Sequence, residues 1–140
     1  MGSHVIDLLI DEECKEIVAI DNMVRGRREN LASAMDRFPV RLIEGDIRDS
    51  SLMSGLVKET DIVFHLAALR ITQCAVEPRH ALEVMVDATY TLLEQCVEFE
   101  IEKIIAASSA KHAATEPIIN IRPKEKTTIW AGGKGSSSII

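Results

Sequence analysis

Paired cysteines are the first thing missing from this sequence. The three present, Cys14, Cys74 and Cys96, are odd in number, far apart and in no CxxC pair. That excludes a disulfide scaffold and a zinc site, and it points to a reducing, cytoplasmic setting. A surplus of positive charge is missing too: 16 Lys and Arg stand against 22 Asp and Glu, a net charge of −6. Sequence-independent binding to nucleic acid is thereby disfavoured, because phosphate would be repelled. No apolar run approaches the roughly 20 residues of a membrane span. Residues 5–10, broken by Asp7, are too short for a secretory signal. No repeat recurs at a fixed period, and 140 residues leave room for one ordinary domain.

What is present is a globular composition, 46% apolar and 27% charged. Short β-branched runs at 16–20, 40–44, 61–66 and 103–107 alternate with stretches of helical spacing. The longest of these sets Leu82, Met85, Val86, Thr89, Leu92, Leu93, Cys96 and Val97 on one broad face. Nearly continuous apolar strands separated by helices predict parallel βαβ units with both sheet faces covered. Pro78 suits a first helical turn, and Ser50 or Ser51 suits an N-cap. The chain opens on helical spacing, with no strand before it. From 113 to 140 the periodicity fails, and four basic against two acidic residues give that stretch +2, leaving −8 on the body. The sequence therefore divides into a domain at 1–112 and a divergent, tail-like segment at 113–140.

Four strand ends carry chemistry. Ile17-Val18-Ala19-Ile20-Asp21-Asn22 ends a buried strand on a carboxylate, which either starts a turn or accepts from ribose hydroxyls. Glu44-Gly45-Asp46-Ile47-Arg48-Asp49 follows the next strand, where Asp46 is placed to accept from an adenine amino group and Ile47 to pack on the ring; a plain strand-to-helix turn is the alternative. In Val63-Phe64-His65-Leu66-Ala67-Ala68, small residues past a strand allow a close ligand approach, and His65 reads best as a satisfied strand-end histidine. Ala107-Ser108-Ser109-Ala110 puts a serine hydroxyl at the last strand end.

In this order and at these spacings the four features resemble the extended short-chain dehydrogenase/reductase superfamily. Specifically, they resemble the NAD-dependent nucleotide-sugar epimerases and dehydratases of the UDP-glucose 4-epimerase type. The resemblance runs from Gly2 to about Ala110, with Gly2-Ser3-His4-Val5 as the end of the glycine motif and Arg25-Gly26 following Asp21-Asn22. It implies a Rossmann-like α/β three-layer sandwich with a mostly parallel sheet. The cofactor residues it implies are Gly2, Asp21, Asn22, Arg25, Asp46, Ile47, Leu66, Ala67, Ala68 and Ser108, with Ser109 polarising the sugar oxygen. NAD is the implied cofactor and a nucleotide-sugar the implied partner; no metal is implied.

The departures from that pattern are specific. The first strand and the Gly-x-x-Gly-x-x-Gly loop are missing apart from Gly2, which removes much of the pyrophosphate grip. Met85 and Ala88 replace an Asn and a Gly, and Met85 is expected to make no polar contact to cofactor or backbone. The catalytic Tyr-x-x-x-Lys is absent: the only tyrosine, Tyr90, has no lysine four residues on. Trp130-Ala131-Gly132-Gly133-Lys134 reads as a remnant that keeps the lysine, Lys134, but puts an indole that cannot cycle as acid or base in place of the phenol. The expectation is a partial epimerase/dehydratase, a truncated form with weak or lost NAD binding and no activity alone. The alternative is a non-enzymatic nucleotide-binding or interaction module, dimeric through exposed strand edges. The missing central strand is expected to be replaced by direct pairing of 16–20 with 61–66. Otherwise a strand would be borrowed from 118–121, from 127–130 or from a second copy.

Overall fold

The computed structural model describes residues 2–12 and 14–107. Helix α1 (Gly2–Leu9) precedes β1 (Ile17–Asp21); α2 (Ala32–Arg37) then leads to β2 (Val40–Glu44), and α3 (Ser50–Val57) to β3 (Ile62–His65). Two short helices follow, α4 (Ile71–Val76) and α5 (Pro78–Leu82). A π turn over Glu83–Asp87 then feeds α6 (Ala88–Glu98), which returns the chain to β4 (Lys103–Ala106). The four strands among the described residues fall where the β-branched runs predict them. Pro78 occupies the first turn of α5, where its missing N–H costs nothing. The N-cap of α3 is Asp49, not Ser50 or Ser51: its carboxylate accepts from the N–H groups of Ser51 and Leu52. The Ser50 carbonyl and hydroxyl instead accept from the buried Gln95 amide on α6, at 3.0 and 3.2 Å, which ties α6 to α3.

Strand pairing is parallel throughout, β1 with β2 from Ile17 opposite Val40, and β3 with β4 from Ile62 opposite Lys103. Along each strand, successive side chains enter opposite layers. Ala19 and Phe64 pack with Ile6, Leu31 and Ala34 from the α1 and α2 side. Ile20 and Val63 pack with Met53, Val57, Leu92 and Cys96 of α3 and α6. Helices thus cover both faces, giving the three layers expected of a doubly wound α/β domain. Ile17, Met53, Val57 and Val63 are the largest enclosed side chains, each contributing about 1.5–3 kcal/mol by leaving water.

One expectation fails. β1 does not pair with β3; the described strands form two separate two-stranded sheets that share both apolar layers. A cavity of about 350 Å³ has walls from all of β1 and from Val63, Phe64 and His65 of β3. Val5, Ile6 and Leu9 of α1 also line it, so a helix makes apolar contacts where a direct backbone ladder was expected. The segments 118–121 and 127–130, the tail-like stretch from 113, and the Trp130–Lys134 remnant lie outside the described residues.

The long helical stretch also differs from its periodic reading. Val84, Ala88, Leu92, Gln95 and Cys96 are buried, whereas Leu82, Met85, Val86 and Val97 are exposed. The π turn inserts an extra residue into the helical repeat, so a uniform 3.6-residue stripe cannot describe both sides of it.

Candidate functional site

Three strand-to-helix junctions converge on the cavity. From the end of β1 come Asp21, Asn22, Arg25 and Gly26; from the end of β2, Gly45, Asp46 and Ile47; from the end of β3, Leu66, Ala67 and Ala68. Gly2 at the start of α1 joins them. Ten residues were proposed from sequence as cofactor contacts; nine of them line this one cavity. The tenth, Ser108, lies outside the described residues, as do Ser109 and Lys134.

At the β1 end, Asp21 and Asn22 form the turn and also line the cavity. Asp21 Oδ1 accepts from the Met23 N–H at 2.8 Å, and Asn22 Oδ1 accepts from the Val24 N–H at 3.2 Å. Met23 sits in the left-handed region with φ 57°, a conformation that the Asp21 bond supports at a residue where it is uncommon. Asp21 Oδ2 has no hydrogen bond among the described residues, and the side chain is exposed. Gly26 packs so closely that a Cβ there would lie 2.6 Å from Asp21 Oδ1. Glycine at this position is what lets the carboxylate occupy its place.

At the β2 end, Gly45 gives room for Leu52 and Ile20, whose side chains would meet a Cβ at 2.5 and 3.2 Å. Asp46 is clamped. Its Oδ1 accepts from the Arg48 N–H at 2.9 Å and from Arg48 Nε at 3.0 Å, and its Oδ2 accepts from a terminal guanidinium nitrogen at 2.7 Å. Hydrogen bonding to Arg48 holds the Asp46 carboxyl below its ordinary range. Sequence reading left Arg48 without a role.

At the β3 end, His65 Nε2 shares a 2.9 Å hydrogen bond with the Thr89 hydroxyl. Burial pushes the imidazole pKa down, favouring the neutral ring. Met85 does make a polar contact to the backbone, contrary to expectation: its sulfur accepts from the Leu69 N–H at 3.3 Å. The thioether, a weak acceptor, reaches the backbone because the π turn places it over the segment after β3. His80 and Val84 also line the cavity and were missed. They stand more than thirty residues from Asp46 in the chain, and no local pattern marks them.

The arrangement offers a small ligand apolar walls with hydrogen-bond acceptors at one end. A cavity of about 350 Å³ is at the lower end of the size range for small-molecule sites. It combines apolar strand walls with two carboxylates and two alanines at strand ends. Among the described residues, no group of three or more His, Cys, Asp or Glu could hold a metal ion. No helix among them is long and apolar enough to cross a membrane.

Comparison with known proteins identifies the family and the fold. Residues 1–129 match the model of the 3-beta hydroxysteroid dehydrogenase/isomerase family. The dTDP-glucose 4,6-dehydratase of Mycobacterium tuberculosis is 44% identical over 97 residues, 67% of this chain and 29% of that protein. The UDP-N-acetylglucosamine 4-epimerase of Methanobrevibacter ruminantium, solved with UDP-N-acetylmuramic acid, superposes with a TM-score of 0.70 at 29% identity, over 86% of this chain and 40% of that one. The UDP-glucose 4-epimerase of Bifidobacterium longum, solved with NAD+ and UDP, gives 0.69 at 25% identity, over 78% and 34%. The chain spans about a third of the length of the curated relatives it matches. It belongs to the 3-beta hydroxysteroid dehydrogenase/isomerase family, among the NAD-dependent epimerases and dehydratases of the extended short-chain dehydrogenase/reductase superfamily.

Proposed function

We propose that this chain keeps the adenosine half of an NAD site and has no epimerase or dehydratase turnover of its own. The supporting observation is the convergence of Asp21, Asp46, Ile47, Leu66, Ala67 and Ala68, from three separate strand ends, on one cavity. Asp21 would accept from the adenosine ribose hydroxyls through Oδ2, the oxygen its own turn leaves over. Its charge would also disfavour a 2′-phosphate, so NAD is preferred to NADP. Asp46 would accept from the adenine amino group while Ile47 packs on the ring, and Ala67 and Ala68 would let backbone approach the phosphate and ribose.

NAD supplies hydride transfer when it is bound in the relatives. Among the described residues, no tyrosine stands where it could exchange a proton with that chemistry. Tyr90, its only tyrosine, is 62% exposed on α6 and does not line the cavity, and Glu94 rather than a lysine stands four residues on. Ser109 and Lys134 are the remaining candidates for contact with a nucleotide-sugar.

Calorimetry with NAD and with AMP tests the reading. Binding at millimolar concentration or tighter, weakened at least about tenfold by Asp21→Ala, a loss near 1.4 kcal/mol, supports it; no detectable heat overturns it. Conversion of UDP-glucose to UDP-galactose should stay at background, and genuine turnover would overturn the second half of the proposal.

A further inference from the structure

Arg48 reaches the candidate adenine site from behind. Asp46 and Ile47 line both the 350 Å³ cavity and a second, more open one that Arg48 shares with Asp49, Glu83 and Thr91. Arg48 lines only the outer cavity. Its backbone N–H, Nε and one terminal nitrogen all donate to the Asp46 carboxylate, the closest at 2.7 Å. The other terminal nitrogen donates to Glu83 Oε2 at 3.1 Å and lies 3.1 Å from His80 Nδ1. Since a guanidinium only donates, the ring nitrogen is the acceptor in this contact. Glu83, the first residue of the π turn, also accepts from Arg79 Nε at 3.2 Å. One side chain therefore ties the β2 loop to a helix 35 positions away.

From this geometry we infer that Arg48 is a positioning residue: it aims the Asp46 carboxylate so that the site discriminates a base with a 6-amino group from one without. The inference rests on the adenosine reading above. A carboxylate offers about four lone-pair positions. Arg48 makes two hydrogen bonds to Oδ1 and two to Oδ2, its single Nε hydrogen being shared between the two oxygens at 3.0 and 3.1 Å. The shared Nε bond is the weaker of the two on Oδ2, so that oxygen keeps acceptor capacity for a ligand in the cavity that Asp46 lines. The pair is partly exposed, with side-chain exposures of 39% and 33%, so little net stability is expected of it. Its consequence is orientation. An acceptor held before the ligand arrives avoids the ordering cost of fixing it on binding. It also presents an oxygen whose charge is already neutralised by the guanidinium, so recognition depends on hydrogen-bond geometry more than on field. Hypoxanthine places a carbonyl oxygen where adenine has its amino group, setting acceptor against acceptor. Lysine, a point charge without the planar fork, would not reproduce the aim.

The test compares binding of NAD and of nicotinamide hypoxanthine dinucleotide to the full chain by calorimetry. The wild type should prefer NAD by about tenfold or more, as expected when a polar site meets a mismatched analogue. Arg48→Met and Arg48→Lys should bring that ratio to about one, while affinity for the hypoxanthine dinucleotide changes less than about twofold. In an Asp46→Ala background, Arg48→Met should change the ratio no further, as a double-mutant cycle requires of coupled residues. A variant that binds both ligands more weakly at an unchanged ratio would show mere structural support and overturn the inference; so would one that keeps the full ratio and both affinities. Absence of wild-type binding, or binding without preference, would instead remove the adenine reading and the inference with it. Arg48→Lys carries the test if Arg48→Met fails to fold.

Discussion

His65 Nε2 and the Thr89 hydroxyl lie 2.9 Å apart, joining the end of β3 to the first turn of α6. The ring is partly buried and its pKa is lowered from 6.5. In the window between that lowered folded pKa and the unfolded value near 6.5, the unfolded chain binds a proton that the folded chain does not. Stability contributed by the neutral ring is therefore fully present above about pH 6.5 and falls as pH drops toward the folded pKa. Melting temperatures at pH 7.5 and pH 5.5 should show a drop on acidification that is smaller in His65→Gln. An equal drop in the two proteins would assign the acid sensitivity to other groups. Thr89→Val should cost about 1 kcal/mol at pH 7.5, the worth of one partly buried hydrogen bond.

Gly26 separates cavity shape from fold. An added Cβ would stand 2.6 Å from Asp21 Oδ1 and 2.8 Å from its Cγ. The carboxylate is the exposed end of a side chain, so it can swing away at little cost to the domain. Gly26→Ala should therefore change unfolding free energy by less than about 1 kcal/mol, the range of surface substitutions. AMP affinity, on the proposed role of Asp21, should fall about tenfold, or 1.4 kcal/mol. Denaturant titration and calorimetry on the same sample check both halves; unchanged AMP binding would place the ribose contact elsewhere.

The facing edges of β1 and β3 should exchange faster than their paired edges. Ile17 N–H donates to Pro39 and the Asp21 carbonyl accepts from Gly45, so residues 17, 19 and 21 direct their backbone groups toward β2. Asp61 and His65 carbonyls accept from Glu102 and Ala107 in the same way on the β4 side. The alternation leaves Val18, Ile20, Ile62 and Phe64 turned toward the space between the sheets. Amide hydrogen exchange should show Ala19 and Val63 protected at least about tenfold more than Val18 and Phe64, since protection follows hydrogen bonding and burial. Equal protection on both edges would mean that a strand occupies the space in solution.

Much of this was legible because the relevant physics is local. Strand periodicity, the carboxylates after β1 and β2, and the alanines after β3 are set by short segments whose neighbours in sequence are their neighbours in space. The Asp49 cap was within reach but was assigned to the serines beside it, because all three are good caps and only backbone geometry selects among them. The burial of α6 was misjudged because a π turn leaves no mark in a periodicity count. Arg48 was visible in its motif, yet its partners His80 and Glu83 lie 32 and 35 positions on.

The sequence by itself determined the class of the domain and the acidic and small residues that meet at its strand ends, since alternating periods and strand-end chemistry are written in single segments. Tertiary structure alone decided that β1 and β3 stand apart across a cavity and that Asp46 is hydrogen-bonded to an arginine that also reaches a distant helix. The side-chain layers α1–α2 and α3–α6, packed from both faces, set where each half-sheet sits. No short stretch of residues carries that long-range geometry.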